Sequence, residues 1–130
     1  MSADYPSMTT AEIRSKFLNF FEERGLKLYP SSSLVPDDPS LLLANAGMNQ
    51  FKEYYQGKKT MKEIGAISCQ KCVRTNDIDC IGEDGRHLSF FEMLGDFSFG
   101  GVSKEQACAW AFELITKEFK LPLDRLDFTV

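Results

Sequence analysis

No apolar run in this sequence approaches the length of a membrane span. Met1 to Thr10 lacks the basic start and apolar stretch of a signal peptide. Together these absences make a cytoplasmic protein the default expectation. Positive charge is also scarce: 15 Lys and Arg stand against 19 Asp and Glu, for a net charge of −4. That balance argues against a module that holds nucleic acid by bulk electrostatics. It leaves room for an enzyme that touches RNA over a small local surface. The one basic cluster, Lys58, Lys59 and Lys62 after Gly57, reads as a solvated turn. His87 is the only histidine, and no Ser-His-Asp or Cys-His arrangement can be assembled around it. There is no Walker-type glycine loop and no dinucleotide fingerprint. A nucleotide would therefore have to be held by arginines on a sheet rather than by a helix N-terminus. Repeats, low-complexity segments and interdomain linkers are absent as well.

Cysteine is limited to Cys69, Cys72, Cys80 and Cys108. Cys69-Gln-Lys-Cys72 has the spacing of a zinc or redox pair, and on paper Cys80 and His87 complete four ligands. However, Cys69 and Cys72 fall in a strand-like run. Residues three apart on a strand point to opposite faces. Reduced, partly buried thiols are therefore expected, with no metal ligands in the chain.

What is present is core material. Hydrophobic residues make up 43% of the 130, and eleven Phe, four Tyr and one Trp supply aromatic bulk. That suits one compact domain that needs no staples. Residues 1–8 read as a flexible tail, and residues 9–130 as a single structural unit. Thr9 and Glu12 sit at capping-box spacing, and Ile13, Phe17, Phe20 and Phe21 follow at helical spacing until Gly25. This predicts a helix over 10–24. An extended passage, Leu26 to Val35, leads to the turn Pro36-Asp37-Asp38-Pro39. Leu41 to Ala44 reads as a short buried strand, Met48 to Tyr55 as a short helix, and Ala66 to Val73 and Leu88 to Leu94 as two strands. Ser103 and Glu105-Gln106 open another helix. Its apolar stripe is Ala107, Trp110, Ala111, Leu114, Ile115 and Phe119, and it should stop before Pro122. Leu126 to Val130 looks like the start of a further strand. The mixture predicts an α+β domain on a mostly antiparallel sheet flanked by helices. A chain that stops inside an apolar strand-like run is expected to be part of a longer protein.

Between the two central strands lies a turn-rich loop from Arg74 to His87. Antiparallel strands would hold Arg74 and Arg86 near its base. Paired guanidinium forks suit a polyphosphate, because they bind phosphate oxygens bidentately. The next strand alternates Leu88, Phe90, Glu92 and Leu94 with Ser89, Phe91 and Met93. A phenylalanine on the ligand face can stack on a purine; equally, both can be core. His87 is open to three roles: base, phosphate donor or structural residue.

Several ordered segments carry a resemblance. They are Leu34-Val35-Pro36, Asn45-Ala46-Gly47-Met48-Asn49-Gln50-Phe51-Lys52, Gln70-Lys71-Cys72-Val73-Arg74, Arg86-His87, Phe90 to Gly95 and Phe97 to Gly100. In this order the chain, from about Thr10 to Val130, resembles the N-terminal part of the catalytic domain of alanyl-tRNA synthetase, a class II aminoacyl-tRNA synthetase. The resemblance implies activation of alanine with ATP to alanyl-adenylate, then transfer to the 3′ end of tRNA(Ala). It maps the family's first motif onto residues 10–44 and its second onto Cys69 to Leu94. It implies that Arg74 binds the α-phosphate and the amino-acid carboxylate. It further implies that Arg86 and His87 hold the γ-phosphate and leaving pyrophosphate, that Phe90 stacks on adenine, and that Glu92 and Met93 read it. Mg2+ would enter bound to ATP. Asn76 and Asp77 stand where a tRNA or phosphate contact is expected.

The chain departs from the family at three places. The loop after Arg74 is short and lacks a Gly-Gly-Lys-His run. Asp96 stands for the usual Asn, and Gly101-Val102-Ser103 for the usual Asp-Tyr-Phe. The third class II motif does not occur. Half a site does not hold substrate within a fraction of an ångström. Weak ATP binding at most, and no efficient aminoacylation, is therefore expected of these residues alone. The alternatives are a synthetase-derived binding module without ligase activity and, behind it, a zinc or redox module on Cys69 and Cys72. Oligomeric state is left open.

Overall fold

A computed structural model describes residues 7–75 and 78–129. The tail expected over residues 1–8 lies mostly outside that range, as do Asn76 and Asp77. Helix α1 (Thr10–Glu22) starts as the capping box requires. The Glu12 N–H donates to Thr9 Oγ1 at 3.2 Å, and Glu12 Oε2 accepts the Thr9 N–H at 2.7 Å. It ends at Gly25, whose φ of +87° lets the Leu26 N–H turn back to the Phe21 carbonyl at 3.2 Å.

The sheet has three strands in the order β1 (Lys27–Leu28), β2 (Gly65–Val73), β3 (Phe90–Ser98). β1 pairs in parallel with β2 at Lys27↔Ala66 and Leu28↔Ile67. β2 and β3 pair antiparallel along their whole length, from Gly65↔Ser98 to Val73↔Phe90. The sheet is thus mostly antiparallel, and β2 is its centre. Ala66, Ile67, Ser68, Gln70 and Cys72 are all buried. Gly65 has a steric reason: a Cβ there would run into the Phe97 carbonyl oxygen and the Leu26 side chain.

Each face of β2 has its own apolar cover. On one, Phe17, Phe20 and Phe21 of α1 pack with Leu26, Ile67 and Leu114. The rings of Phe17 and Phe20 meet Phe21 edge-on at 5.0 and 5.1 Å. On the other, Phe51 lies 4.9 Å from Phe97 and 5.3 Å from Tyr29, with Phe99 and Tyr55 beyond. Phe51 is carried by a 3-10 turn (Gly47–Phe51) that runs into helix α2 (Lys52–Tyr55), as the short-helix expectation had it.

Three expectations need correction. Leu41 to Ala44 is not a strand. Leu42 is 89% exposed while Ala44 is fully buried, and the segment is strapped to the end of β2 by the Val73 N–H donating to the Ala44 carbonyl at 2.9 Å. A four-residue apolar run carries no periodicity that separates a strand from such a strap. Second, the helix α3 (Lys104–Glu113), continued by a π turn over Leu114–Glu118, buries less of its stripe than the pattern predicts. Leu114 is buried and Trp110 half-buried, but Ala107 and Ala111 are exposed. Only the C-terminal end of this helix reaches the core, through Trp110 against Phe21 at 6.3 Å. Third, residues 126–129 form no strand. Leu123–Arg125 makes a 3-10 turn, and Phe128 rests on Phe112 at 5.8 Å. The strand beginning at Leu88 in expectation begins at Phe90 and runs on to Ser98.

Phe21 touches Phe17, Phe20 and Trp110 and is 3% exposed. Phe21→Ala should lower unfolding free energy by about 3–5 kcal/mol in urea titrations. A loss under about 1 kcal/mol would contradict this account of the core.

Candidate functional site

Arg74 follows directly on β2, and its N–H donates to the Ser89 carbonyl at 2.9 Å, one rung past the Val73↔Phe90 pair. Its side chain is held at two points. Nε donates to the Asn45 carbonyl at 3.0 Å, and the guanidinium carbon lies 5.2 Å from the Phe91 ring centroid. A guanidinium fork is the geometry that binds a phosphate or carboxylate bidentately. Strand parity explains the pairing. Cys72 is opposite Phe91, and Arg74 is two residues beyond Cys72, so Arg74 and Phe91 share a face.

Asn45 reaches Arg74 because the strap from Ala44 to Gly47 lies close on that face. The Gly47 N–H points to Met93 Sδ at 3.2 Å, and a Cβ on Gly47 would sit 3.1 Å from the Phe97 ring. Below the strap, buried Gln70 ties the Ser31–Ser33 loop to β2. Its Oε1 accepts from the Ser32 N–H at 2.9 Å and from Gln50 Nε2 at 3.0 Å, and its Nε2 donates to the Ser32 carbonyl at 3.2 Å. A buried amide with its donors and acceptors matched fixes geometry, because each broken bond would orphan a polar group.

The opposite face differs. Phe90 is half-exposed there, and Glu92 is ion-paired to Arg14 of α1 at 2.5 Å. The Arg14 hydrogen bond holds the Glu92 carboxyl below the usual carboxylate range. The expected set of Phe90, Glu92 and Met93 is therefore divided by the sheet. Met93 sits with Arg74, while Phe90 and the Glu92 side chain face α1. Only backbone groups of Glu92, on a strand edge unpaired among the described residues, are placed to reach a ligand on the Arg74 side. Phe91, Asn45 and Gln70 share the face of Arg74 or touch it, and the sequence reading gave them no role of their own. Alternation along β3 separates Phe91 from Phe90 without saying which shares a face with Arg74; Asn45 and Gln70 act through contacts distant in the chain.

Arg86 and His87 close the loop. Asp84 Oδ1 accepts both of their backbone N–H groups, at 2.9 and 3.0 Å, and Asp84 Oδ2 lies 2.6 Å from His87 Nδ1. The Arg86 and His87 amides, then the ring, push the Asp84 carboxyl down to about 2. Among the described residues no hydrogen bond or ion pair joins this group to Arg74; the link is the β2–β3 ladder itself.

Cys72 is buried with Gln70, and Cys69 lies beside Arg14 and Glu92 on the other face. Two thiols on opposite faces of one strand cannot share an ion. Burial pushes both thiols up. Across the Gly57 turn, Lys59 pairs with Glu53 at 2.5 Å, as a solvated turn would.

The family comparison gives the class of protein to which this sheet and its helices belong. Residues 12–130 match the model of the tRNA synthetases class II (A), and the chain belongs to that family. More particularly, it is similar to the N-terminal catalytic region of alanyl-tRNA synthetase. It is 51% identical over 130 residues to the alanine–tRNA ligase of Synechocystis sp., covering 100% of this chain and 15% of that protein. It is 55% identical over 118 residues to the chloroplastic/mitochondrial alanine–tRNA ligase of Sorghum bicolor, covering 91% and 12%. The ligase of Pseudothermotoga lettingae is 52% identical over 123 residues, covering 95% and 14%. The chain therefore spans only 12–15% of the length of these relatives. Among the described residues no helix is long and apolar enough to cross a membrane.

Asp96 stands where the family pattern carries Asn. Desolvation by burial raises its carboxyl above the ordinary 3.8. A raised folded-state value means that the folded protein binds this proton more tightly than the unfolded one. Stability from this group is thus present at low pH and lost as pH rises through the folded value. Asp96→Asn should raise stability at pH 7, by less than ~1 kcal/mol because the residue is partly open to water. Urea titrations should show the gain fading as pH falls into the ordinary carboxylate range. A gain of equal size at acid pH would refute the desolvation argument.

Proposed function

We propose that this chain is the ATP-gripping part of an alanine–tRNA ligase catalytic site. The observation that carries the reading is Arg74, fixed by the Asn45 carbonyl beside Phe91 on one face of the β2–β3 pair. In the reaction, the alanine carboxylate attacks the α-phosphorus of ATP in line, an adenylate bond forms, and the bond to pyrophosphate breaks. Negative charge builds on the α-phosphate oxygens. A guanidinium already held in place stabilises that charge without reorganising. Arg86 and His87, at the far end of the loop, hold the γ-phosphate and the departing pyrophosphate. No protein nucleophile is required; positioning and charge carry the step.

Adenine is assigned to Phe91 in place of Phe90, because a base stacked on Phe91 leaves its phosphates on the Arg74 side. Phe90 then serves the α1 face. Met93 and the backbone of Glu92 read the base edge. Mg2+ comes with ATP and is held chiefly by the phosphates; Glu92, whose side chain pairs with Arg14, is not assigned to it. Alanine and tRNA(Ala) are the other substrates of the longer protein, with Asn76 and Asp77 assigned to tRNA or phosphate. The cytoplasm is the assigned compartment.

ATP affinity tests the site directly. Arg74→Ala should abolish the binding, and Phe91→Ala should weaken it by about tenfold, the value of one base-stacking contact. Phe90→Ala should change it less than Phe91→Ala. Unchanged affinity in Arg74→Ala, or a larger loss at Phe90, would refute these assignments. A second test is alanine-dependent exchange of pyrophosphate into ATP. Exchange should be very low or absent for these 130 residues and present in a protein extended through the third motif. Robust exchange by the chain alone would overturn the claim that half a site is insufficient.

A further inference from the structure

The loop between β2 and β3 holds a carboxylate that the adenylate chemistry does not use. Asp84 Oδ1 accepts two backbone amides, from Arg86 at 2.9 Å and from His87 at 3.0 Å. Its second oxygen, Oδ2, lies 2.6 Å from Nδ1 of the His87 ring. An Asp in a tight turn commonly accepts one or two amides from residues just ahead of it. The additional contact to the ring is what has a chemical consequence.

Which atom carries the shared proton follows from the donor inventory. Two amides and the ring push the Asp84 carboxyl down to about 2, so it is ionised near neutrality. An ionised carboxylate is an acceptor only. A 2.6 Å contact between it and Nδ1 therefore needs the proton on Nδ1. In neutral imidazole, the nitrogen that donates to a partner leaves the other as the free position. The free atom here is Nε2, on a ring that is 47% exposed in its side chain and stands three residues before the β3 strand begins.

We infer that Asp84 is a positioning residue for His87: it fixes the ring in the Nδ1–H form and aims Nε2 outward, toward the phosphate tail of a bound nucleotide. The same carboxylate holds the Arg86 amide, so one side chain sets the backbone course of both residues assigned to the outer phosphates. The inference rests on the ATP reading for its ligand. It stands on the Asp84–His87 geometry for the ring. Among the described residues, the charged group that the imidazole touches is Asp84, and Arg86 is adjacent in the chain.

The single histidine makes the test direct, because the ring spectrum contains one imidazole. Long-range 1H–15N correlation at about pH 8.5, above the usual imidazole titration, reads which nitrogen bears the proton. The expected wild-type pattern is protonated Nδ1 and bare Nε2. Asp84→Asn keeps an oxygen for the two backbone amides but presents an NH2 group to Nδ1. The ring should then invert to the Nε2–H form, while the backbone amide spectrum shows the fold retained. A wild-type ring in the Nε2–H form, or no inversion in Asp84→Asn, overturns the role of Asp84. Titrating Mg-ATP supplies the second arm. Nε2 should shift while Nδ1 stays, and this response should be at least about threefold weaker in Asp84→Asn. Movement of the Arg74 and Phe91 amides with a silent ring would overturn the aiming of Nε2 at phosphate. No response from any of these groups would overturn the ATP reading, leaving the tautomer result to decide Asp84 separately.

Discussion

The continuous pairing of β2 with β3 is the constraint on which this structure depends. From Gly65↔Ser98 to Val73↔Phe90 every residue of one strand faces a residue of the other. Side chains alternate across a strand, so this one register decides the face of every group in the site. A slip of one strand by one residue would put Arg74 and Phe91 on opposite faces and Phe90 in place of Phe91. The register is held by burial on both sides. Ile67 packs into the aromatic layer of α1, while Gln70 and Cys72 lie under the straps of the opposite face. A strand buried twice over cannot shift without exposing one core or the other.

The two faces have divided the work. The α1 face is structural: Phe17, Phe20 and Phe21 supply bulk, and Arg14 neutralises Glu92. The other face is polar where it matters. There the strap at Ala44 to Gly47 lies close enough for a main-chain carbonyl to hold a guanidinium. An arginine fixed in advance loses little side-chain freedom on meeting a phosphate, which is the sense in which a charge-stabilising site is preorganised. The outer end of the site, at Asp84 to His87, is built differently. It relies on hydrogen bonds within a few residues of the loop itself, and its side chains are exposed. A local turn there needs no core, which lets this end of the site vary in length and sequence while the Arg74 end keeps its place.

β3 is an edge strand among the described residues, nine residues long, and α3 meets the core only near its C-terminal end. The shallow seating of α3 is why the apolar stripe read from Ala107 to Phe119 is less buried than its pattern predicts.

Some of this was fixed by local chemistry and was legible in the sequence. The capping box at Thr9 and the stop at Gly25 bound α1 because their hydrogen bonds lie within a few residues of each other. The strand character of residues 66–73 came from its apolar run, and the opposed directions of Cys69 and Cys72 from strand parity. Ordered motifs named the family. The tertiary structure alone decided which phenylalanine stands with that arginine, because the register of two strands joined through a long loop is not written in either strand. It alone turned Leu41 to Ala44 from an apparent strand into a strap, since an apolar run does not reveal what it packs against. It also joined Asn45 to Arg74 and Arg14 to Glu92 across 29 and 78 residues of chain. Contacts of that separation are settled when the sheet and its covers assemble, and no local pattern carries them.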